Sequence, residues 1–385
     1  MQDIKSGLTG DITVTDNFVI KSVRITHKLI EIINKTVNTW DKAAKDAKNQ
    51  WNEILVIDEL IKKSSTVIVP GTKIFVIPKY DHVSWQPVKE NLKQFLDEKK
   101  PTDTDTDGAM ASIQAKINVA FFDNFLTDVQ KNGGDKWHTI YILSKRMWGN
   151  MSDLISIIMN SDNTRVKKRL FLKDVIMLLM EKVRDLNIDG GIYHGDLKLD
   201  NILISDIHQF LINDPMESKS ISIGNVDYNT SIFAGDVYLT DFEWSFSLKK
   251  IRGFDAQPFE FLSEDENKDN IRPIVPMINS KEKKYNLGNW YKGLNDKAVT
   301  VNNFNQSRFI ALDVFYFAFF ILYTVDKRVV IEDPYIQLSL HFILSRFRML
   351  SINEEYDRKR EGTIDYSVIS AEGFANYCKT NIEEN

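Results

Sequence analysis

The chain has 385 residues, of which 43% are hydrophobic and 27% are charged, enough to bury one large core or two smaller ones. The formal net charge of −5 provides no overall basic field, so we expect no nucleic acid partner. The single cysteine, Cys378, excludes an internal disulfide and a cysteine-based metal site, and it favours a reducing compartment.

The first predicted elements are short strands around a pair of glycines. Gly7 and Gly10 lie between two strand patterns, where backbone N–H groups without neighbouring side chains can approach phosphates. An ordinary hairpin is the alternative interpretation of these glycines. Residues 18–23 form a β-rich run that contains Lys21, and this strand pattern next to the glycines favours a phosphate-binding role.

A long helix is predicted over residues 36–63, with apolar residues on two sides. A helix of this kind lies between other elements, so a carboxylate on it needs a partner. We expect Glu53 to pair with Lys21, with Glu59 as the second choice. Residues 67–78 that follow are typical of a hairpin.

A domain boundary is predicted where a strand changes to a linker and then to a helix. Residues 97–108 are of low complexity and predict an insertion. Residues 139–144 have the pattern of a buried strand, and a helix begins at residue 151. The predicted domains are therefore 1–144 and 145–385.

The most informative segment is a polar loop between a helix and an apolar strand. Residues 166–186 predict the helix, and Asn-Ile-Asp-Gly-Gly at 187–191 ends it. The sequence YHGDLKLDNI occupies 193–202, and the strand continues to Ile204. After a polar segment at 205–235, which predicts an inserted hairpin or loop, a strand at 237–240 leads to Asp241.

These loops carry the residue types that phosphoryl transfer from ATP requires. Asp196 can accept the proton of an attacking hydroxyl, and Lys198 can balance charge on the γ-phosphate. Asn201 and Asp241 offer oxygen atoms to Mg²⁺. We therefore expect ATP and Mg²⁺ as substrate and cofactor. His194 is expected to be structural, because Asp196 next to it is the better base.

No membrane span is expected. The most apolar stretch, residues 309–325, contains Asp313 and is shorter than a span usually needs, so a buried core helix is predicted. The N-terminus lacks the apolar run of a signal peptide, and a cytoplasmic location is the expectation.

The motifs Asp196-Leu197-Lys198-Leu199-Asp200-Asn201 and Asp241-Phe242-Glu243 resemble the catalytic and metal-binding loops of protein kinases. The resemblance extends in order along most of the chain. It implies a bilobal α+β fold, in which a small antiparallel β-sheet lobe with one main helix precedes a larger, mainly helical lobe. Similar loops occur in the protein kinases that large DNA viruses, poxviruses included, package into virions, which would place the protein in the host cytoplasm or virion.

The resemblance also assigns roles to individual residues. It implies that Gly7 and Gly10 belong to the glycine-rich loop, that Lys21 and Glu53 form the phosphate-binding pair, and that Ser144 begins the hinge to the second lobe. Asp313 resembles the buried acid that anchors the catalytic loop.

Two positions depart from the family pattern. Gly195 stands where many regulated kinases have an arginine that receives an activation-loop phosphate. We therefore predict activity that does not depend on such phosphorylation. Glu243 replaces the third-position glycine of the metal-binding motif.

Three functions remain open from the sequence. The leading one is transfer of the γ-phosphate to Ser or Thr hydroxyls of protein substrates, because Lys198 resembles that subclass. A pseudokinase that acts as a binding or scaffolding module is the second. A small-molecule phosphotransferase of the aminoglycoside or choline kinase type is the third, although many of those carry histidine at the position of Lys198.

Overall fold

A computed structural model describes residues 5–6, 11–14, 18–78, 122–207, 218–233, 235–247, 313–314, 317 and 370–383. The described chain is a mixed α+β protein built of helices and small antiparallel sheets. It divides into two compact units, Met1–Arg146 and Met147–Asn385. Gly7 and Gly10, the low-complexity residues 97–108 and most of the apolar residues 309–325 lie outside the described residues.

The first unit contains a five-stranded antiparallel sheet and helices beside it. Its elements are β1 (Lys5–Ser6), β2 (Asp11–Val14), β3 (Phe18–Arg24), α1 (His27–Ile33), α2 (Lys42–Lys62), β4 (Lys73–Pro78), α3 (Phe122–Asn132) and β5 (Trp137–Lys145). The strand order is β1-β2-β3-β5-β4. Buried Ile20 and Val23 of β3 and Ile140 of β5 contribute to its core.

Helix α2 begins later than the sequence pattern predicted. Residues 36–41 are not helical, and the Asp41 side chain caps the helix by accepting a hydrogen bond from the Ala44 N–H at 2.8 Å. A side chain that satisfies a free N–H of the first turn fixes the helix start. The prediction of a helix over 36–63 was therefore wrong at its N-terminal end.

Helix α2 is the longest described helix of the first unit, and the shorter helices α1 and α3 accompany it. Thr26 caps α1 through the Leu29 N–H, and α3 packs Phe122 against Trp51 of α2 with ring centroids 5.9 Å apart. These caps and aromatic contacts lie in segments where the sequence pattern alone was weak.

The predicted hairpin at 67–78 is not formed. Residues 67–71 are turn and coil, and β4 begins at Lys73. Strand β4 pairs with β5 instead, with Val76 opposite Ile140. The apolar run at 67–69 is buried without entering a sheet, which shows that burial and not pairing explains its composition.

In its described residues, the second unit is formed by helices and three small antiparallel sheets. Its elements are β6 (Gly149–Asn150), α4 (Met151–Asn160), α5 (Arg165–Arg184), a π-helical turn (Asp185–Asp189), β7 (Ile192–Tyr193), a 3₁₀ turn (Leu199–Asn201), β8 (Ile202–Ile204), β9 (Ser220–Ile223), β10 (Val226–Asn229), β11 (Val237–Leu239), a second 3₁₀ turn (Phe242–Trp244), β12 (Phe246–Ser247) and α6 (Ala371–Glu383). Its sheets are β11-β8-β6, β10-β9 and β12-β7.

Helix α5 is the central element of the second unit. Residues 171–180 are buried without interruption, so the helix is surrounded by other elements on all sides. It ends at Arg184 and continues into the π-helical turn, whereas the sequence predicted a single helix to 186. In the described part of the chain, no helix is both long and apolar enough to cross a membrane.

Candidate functional site

In the first unit, Lys21 of β3 and Glu53 of α2 form an ion pair. The Lys21 Nζ lies 2.6 Å from Glu53 Oε2, and the side chains are only 15% and 4% exposed. The predicted pairing is confirmed, and the second choice was wrong, because Glu59 pairs with Lys63 at 2.9 Å. A buried carboxylate that fixes a lysine leaves an oriented ammonium group, which can hold an anion.

Ser144 lies near the end of β5, opposite Val19 of β3. The strand ends at Lys145, and the division between the two units falls after Arg146. Ser144 is therefore two residues from the end of the first unit. Its assignment to a hinge stays a prediction.

In the second unit, the loop after β7 holds the Asp196 carboxylate with two neighbouring side chains. The Lys198 Nζ and the Asn201 Nδ2 each donate to Asp196 Oδ2 at 3.0 Å. The Asn201 Nδ2 also donates to the Asp196 backbone carbonyl at 2.9 Å. Asp196 is only 2% exposed, so the acid, the cation and the amide are held together in a fixed arrangement.

Asp241 follows strand β11, which is antiparallel to β8 directly after Asn201. The Thr240 N–H donates to the Asn201 carbonyl at 3.1 Å, which brings the two predicted Mg²⁺ ligands to the same end of this small sheet. Asp241 has left-handed backbone angles, φ 63° and ψ 66°. Such a conformation is strained for a residue with a Cβ and is concentrated at functional sites.

Asp313 anchors the loop at 194–195 by accepting hydrogen bonds from its backbone, the contact that its resemblance to the family acid implied. Its carboxylate is fully buried and accepts hydrogen bonds from the His194 N–H at 2.8 Å, the Gly195 N–H at 3.0 Å and the Asn187 Nδ2 at 2.8 Å. Burial raises the pKa of Asp313 to about 7, and the three hydrogen bonds oppose that rise. The acid thus satisfies backbone donors that a turn exposes in the interior.

His194 connects the two loops as a neutral ring. Its Nε2 lies 3.1 Å from the Thr240 carbonyl, and its Nδ1 accepts from the Asp196 N–H at 3.3 Å. Nε2 must then carry the ring hydrogen and donate a hydrogen bond to the Thr240 carbonyl. Complete burial, together with the nearby Lys198 charge, lowers the pKa of His194 to about 4, although the hydrogen bond to the Thr240 carbonyl opposes that change. The predicted structural role of His194 is confirmed by these contacts.

Gly195 occupies a position that admits no side chain without movement of the backbone. Its φ is +77°, and an added Cβ would lie 2.5 Å from the Trp244 carbonyl oxygen. An arginine, which the family resemblance would place at this position, does not fit this backbone. The segment after Asp241 is held close to the loop by Ser245, whose Oγ donates to the His194 carbonyl at 2.8 Å, and by pairing of β12 with β7.

Asn187 and Ser245 were not predicted from the sequence as site residues. Asn187 lies in the π-helical turn, where its Nδ2 reaches both the Asp313 carboxylate and the Ile192 carbonyl, each at 2.8 Å. In the sequence it resembles an ordinary helix-ending residue. The nearby Gly190 and Gly191 predict only that a helix ends here. They do not predict the π-helical turn, which directs the Asn187 side chain toward the loop.

Among the described residues, no group of three or more His, Cys, Asp or Glu side chains is arranged to hold a metal ion. Asn201 and Asp241 provide one neutral and one charged oxygen donor, the ligand types that Mg²⁺ prefers when phosphate and water complete its shell. Neither a protein-family model nor a curated protein sequence matches the chain.

Proposed function

We propose that the protein is an ATP- and Mg²⁺-dependent protein kinase with a bilobal kinase-like fold, which transfers the γ-phosphate to Ser or Thr hydroxyls. One observation carries the proposal. The Asp196 carboxylate is held by Lys198 and Asn201, and Asp241 follows the strand paired beside Asn201. An acid, a cation and two oxygen donors in this order are what phosphoryl transfer to a hydroxyl needs.

Each residue has a part in the proposed reaction. Asp196 orients the substrate hydroxyl and accepts its proton, and Lys198 lies against the transferring phosphate. Asn201 and Asp241 would hold Mg²⁺, which would supply positive charge to neutralise the charge that develops on the phosphates. Lys21, oriented by Glu53, holds the α- and β-phosphates.

The position of Lys198 supports a protein substrate over a small molecule, as in Ser/Thr kinases that the loop resembles. The tight packing of Gly195 against Trp244 supports activity without activation-loop phosphorylation, because the loop offers no arginine to receive a phosphate. A kinase regulated in that way needs a cation at this position.

The proposal is tested with the full chain, radiolabelled ATP and Mg²⁺. We expect label on casein-like proteins, and none on amino-alcohols or aminoglycosides. Asp196→Asn should abolish transfer while ATP binding persists. Label on the small molecules alone would support the phosphotransferase alternative, and nucleotide binding without any transfer would support the pseudokinase.

The metal assignment has a matched pair of variants. Asp241→Asn should raise the Mg²⁺ concentration needed for half-maximal transfer by at least about tenfold, because it removes a charged ligand. Asp200→Asn is the control, since Asp200 is exposed and has no assigned role. Equal metal dependence in both variants would contradict the assignment.

A further inference from the structure

The polar segment between β8 and β11 closes on itself at its base. The Ser205 N–H donates to the Asp236 carbonyl at 3.0 Å, and the Asp236 N–H donates to Ser205 Oγ at 2.7 Å. Lys219 and Asp236 also form an ion pair. The described part of this insertion is the β9–β10 hairpin and the turn that follows it. The two ends of the insertion therefore lie side by side, where β8 ends and β11 begins.

The hairpin has one apolar and one polar face. Ile221, Ile223, Val226 and Tyr228 alternate with exposed residues and are buried. On the polar face, the Ser220 Oγ donates to Asn229 Oδ1 at 2.7 Å. Alternation of this kind places the whole apolar face of the hairpin against the body of the second unit.

Asp174 of α5 fastens the insertion through an array of hydrogen bonds. Its carboxylate is fully buried and accepts from the Tyr228 hydroxyl at 2.6 Å and from three successive backbone N–H groups. Those of Ser231 and Phe233 lie at 2.9 Å and that of Ile232 lies at 2.7 Å.

Burial raises the pKa of Asp174 above its ordinary value, and the four hydrogen bonds that the carboxylate accepts offset only part of that rise. The ring of Phe233 packs on Phe171, one turn earlier on α5, with centroids 4.9 Å apart. Polar and apolar contacts therefore fix the same short turn, 231–233, on the same helix.

The fastened turn lies a few residues before strand β11, which ends at Leu239, two residues before Asp241. Strand β11 has only three residues and three residue pairs with β8. So short a ladder is weak by itself, and Asp241 beyond it has a strained backbone conformation. At its N-terminal end the strand follows Asp236, which is hydrogen-bonded to Ser205, and the turn held by Asp174 lies just before it and adds to that support.

We propose that Asp174 is a positioning residue for Asp241, acting through the turn 231–233 and strand β11, so that the insertion sets the geometry of the metal-binding loop. This inference rests on the proposed function for the role of Asp241. The structural part, that Asp174 holds β11 and its C-terminal end in place, does not depend on catalysis.

The first test is hydrogen–deuterium exchange of the full chain. In Asp174→Asn, the amide nitrogen replaces one of the two accepting oxygens and cannot accept a hydrogen bond, so a single neutral oxygen is left for the donors that the carboxylate shared. We expect exchange of the amides at 237–241 to be at least about tenfold faster than in the wild type, with exchange in β5 unchanged. Tyr228→Phe, which removes one of the donors, should show a smaller increase, and Ser220→Ala on the exposed face should show none.

The second test is the Mg²⁺ dependence of phosphate transfer. We expect Asp174→Asn to raise the Mg²⁺ concentration for half-maximal activity by about tenfold while the KM for the protein substrate is unchanged. A merely structural role would lower kcat by reducing the active fraction and would leave the metal dependence as it is.

The outcomes separate the two hypotheses. Wild-type exchange rates at 237–241 in Asp174→Asn would overturn the positioning role, whatever the activity. If the wild type transfers no phosphate, the proposed function fails, and the exchange data alone decide whether Asp174 positions this loop. If Asp174→Asn does not fold, both measurements are made on Tyr228→Phe, and wild-type exchange at 237–241 in that variant would overturn the positioning role.

Discussion

The buried ring of His194 should make the stability of the second unit depend on pH in a defined direction. Its pKa falls from 6.5 in the unfolded chain to about 4 in the fold, chiefly because of burial. Between these values the unfolded chain binds more protons than the folded one, so stability present above pH 6.5 is lost as the pH falls toward 4. A shift of this size corresponds to about 3 kcal/mol.

Asp313 should act in the opposite direction. Its pKa rises from 3.8 to about 7 through burial, so the folded chain binds more protons between these values. Its contribution is therefore complete below pH 3.8 and is lost as the pH rises toward 7, by about 4 kcal/mol in all. In the wild type the two groups offset one another over most of this range.

Urea unfolding of the full chain between pH 4 and pH 7 separates the two groups. Relative to His194→Gln, the wild type should lose stability as the pH falls. Relative to Asp313→Asn, it should lose stability as the pH rises. His194 and Asp313 both lie in the second unit, so the urea transition whose midpoint both variants shift is assigned to the unfolding of that unit. Differences that do not change with pH in either variant would refute the assignment of a buried neutral ring and a buried acid with a raised pKa.

Two further predictions concern the first unit and the loop glycine. Glu53→Gln should raise the KM for ATP about tenfold, because Lys21 loses the charge that orients it, whereas Glu59→Gln should leave it unchanged in the same steady-state titration. Gly195→Ala should destabilise the protein by about 2–4 kcal/mol in urea, through strain at positive φ and overlap with a carbonyl. Gly71→Ala, at φ +75° with open space around its Cβ, should cost only about 1–2 kcal/mol, and equal losses in the two glycine variants would contradict the overlap.

The residues of the candidate site were predictable where residue type and order carry the chemistry. Asp196, Lys198 and Asn201 lie within six positions of one another, so the loop that places them together is local. The pairing of Lys21 with Glu53 was also predictable, because a carboxylate on a buried helix face needs a partner.

Elements that depend on contacts distant in sequence were not predictable in the same way. The apolar run at 67–69 has strand composition, yet it is buried outside the sheet, because β4 finds its partner in β5. The π-helical turn that directs Asn187 toward Asp313 has no signature in its own residues. Its geometry reflects an acceptor 126 positions away.

Two buried carboxylates on helical backbone hold the two loop regions of the second unit in the same manner. Asp313 accepts the successive N–H groups of residues 194 and 195, and Asp174 accepts those of residues 231 to 233. A turn in the interior exposes backbone donors that apolar packing cannot satisfy, and a carboxyl group with two oxygens can accept from several of them at once. Because each acid lies more than fifty positions from the turn it holds, the sequence showed the loops but not what fixes them. The chemistry of the proposed site therefore depends on acids that need never touch a substrate.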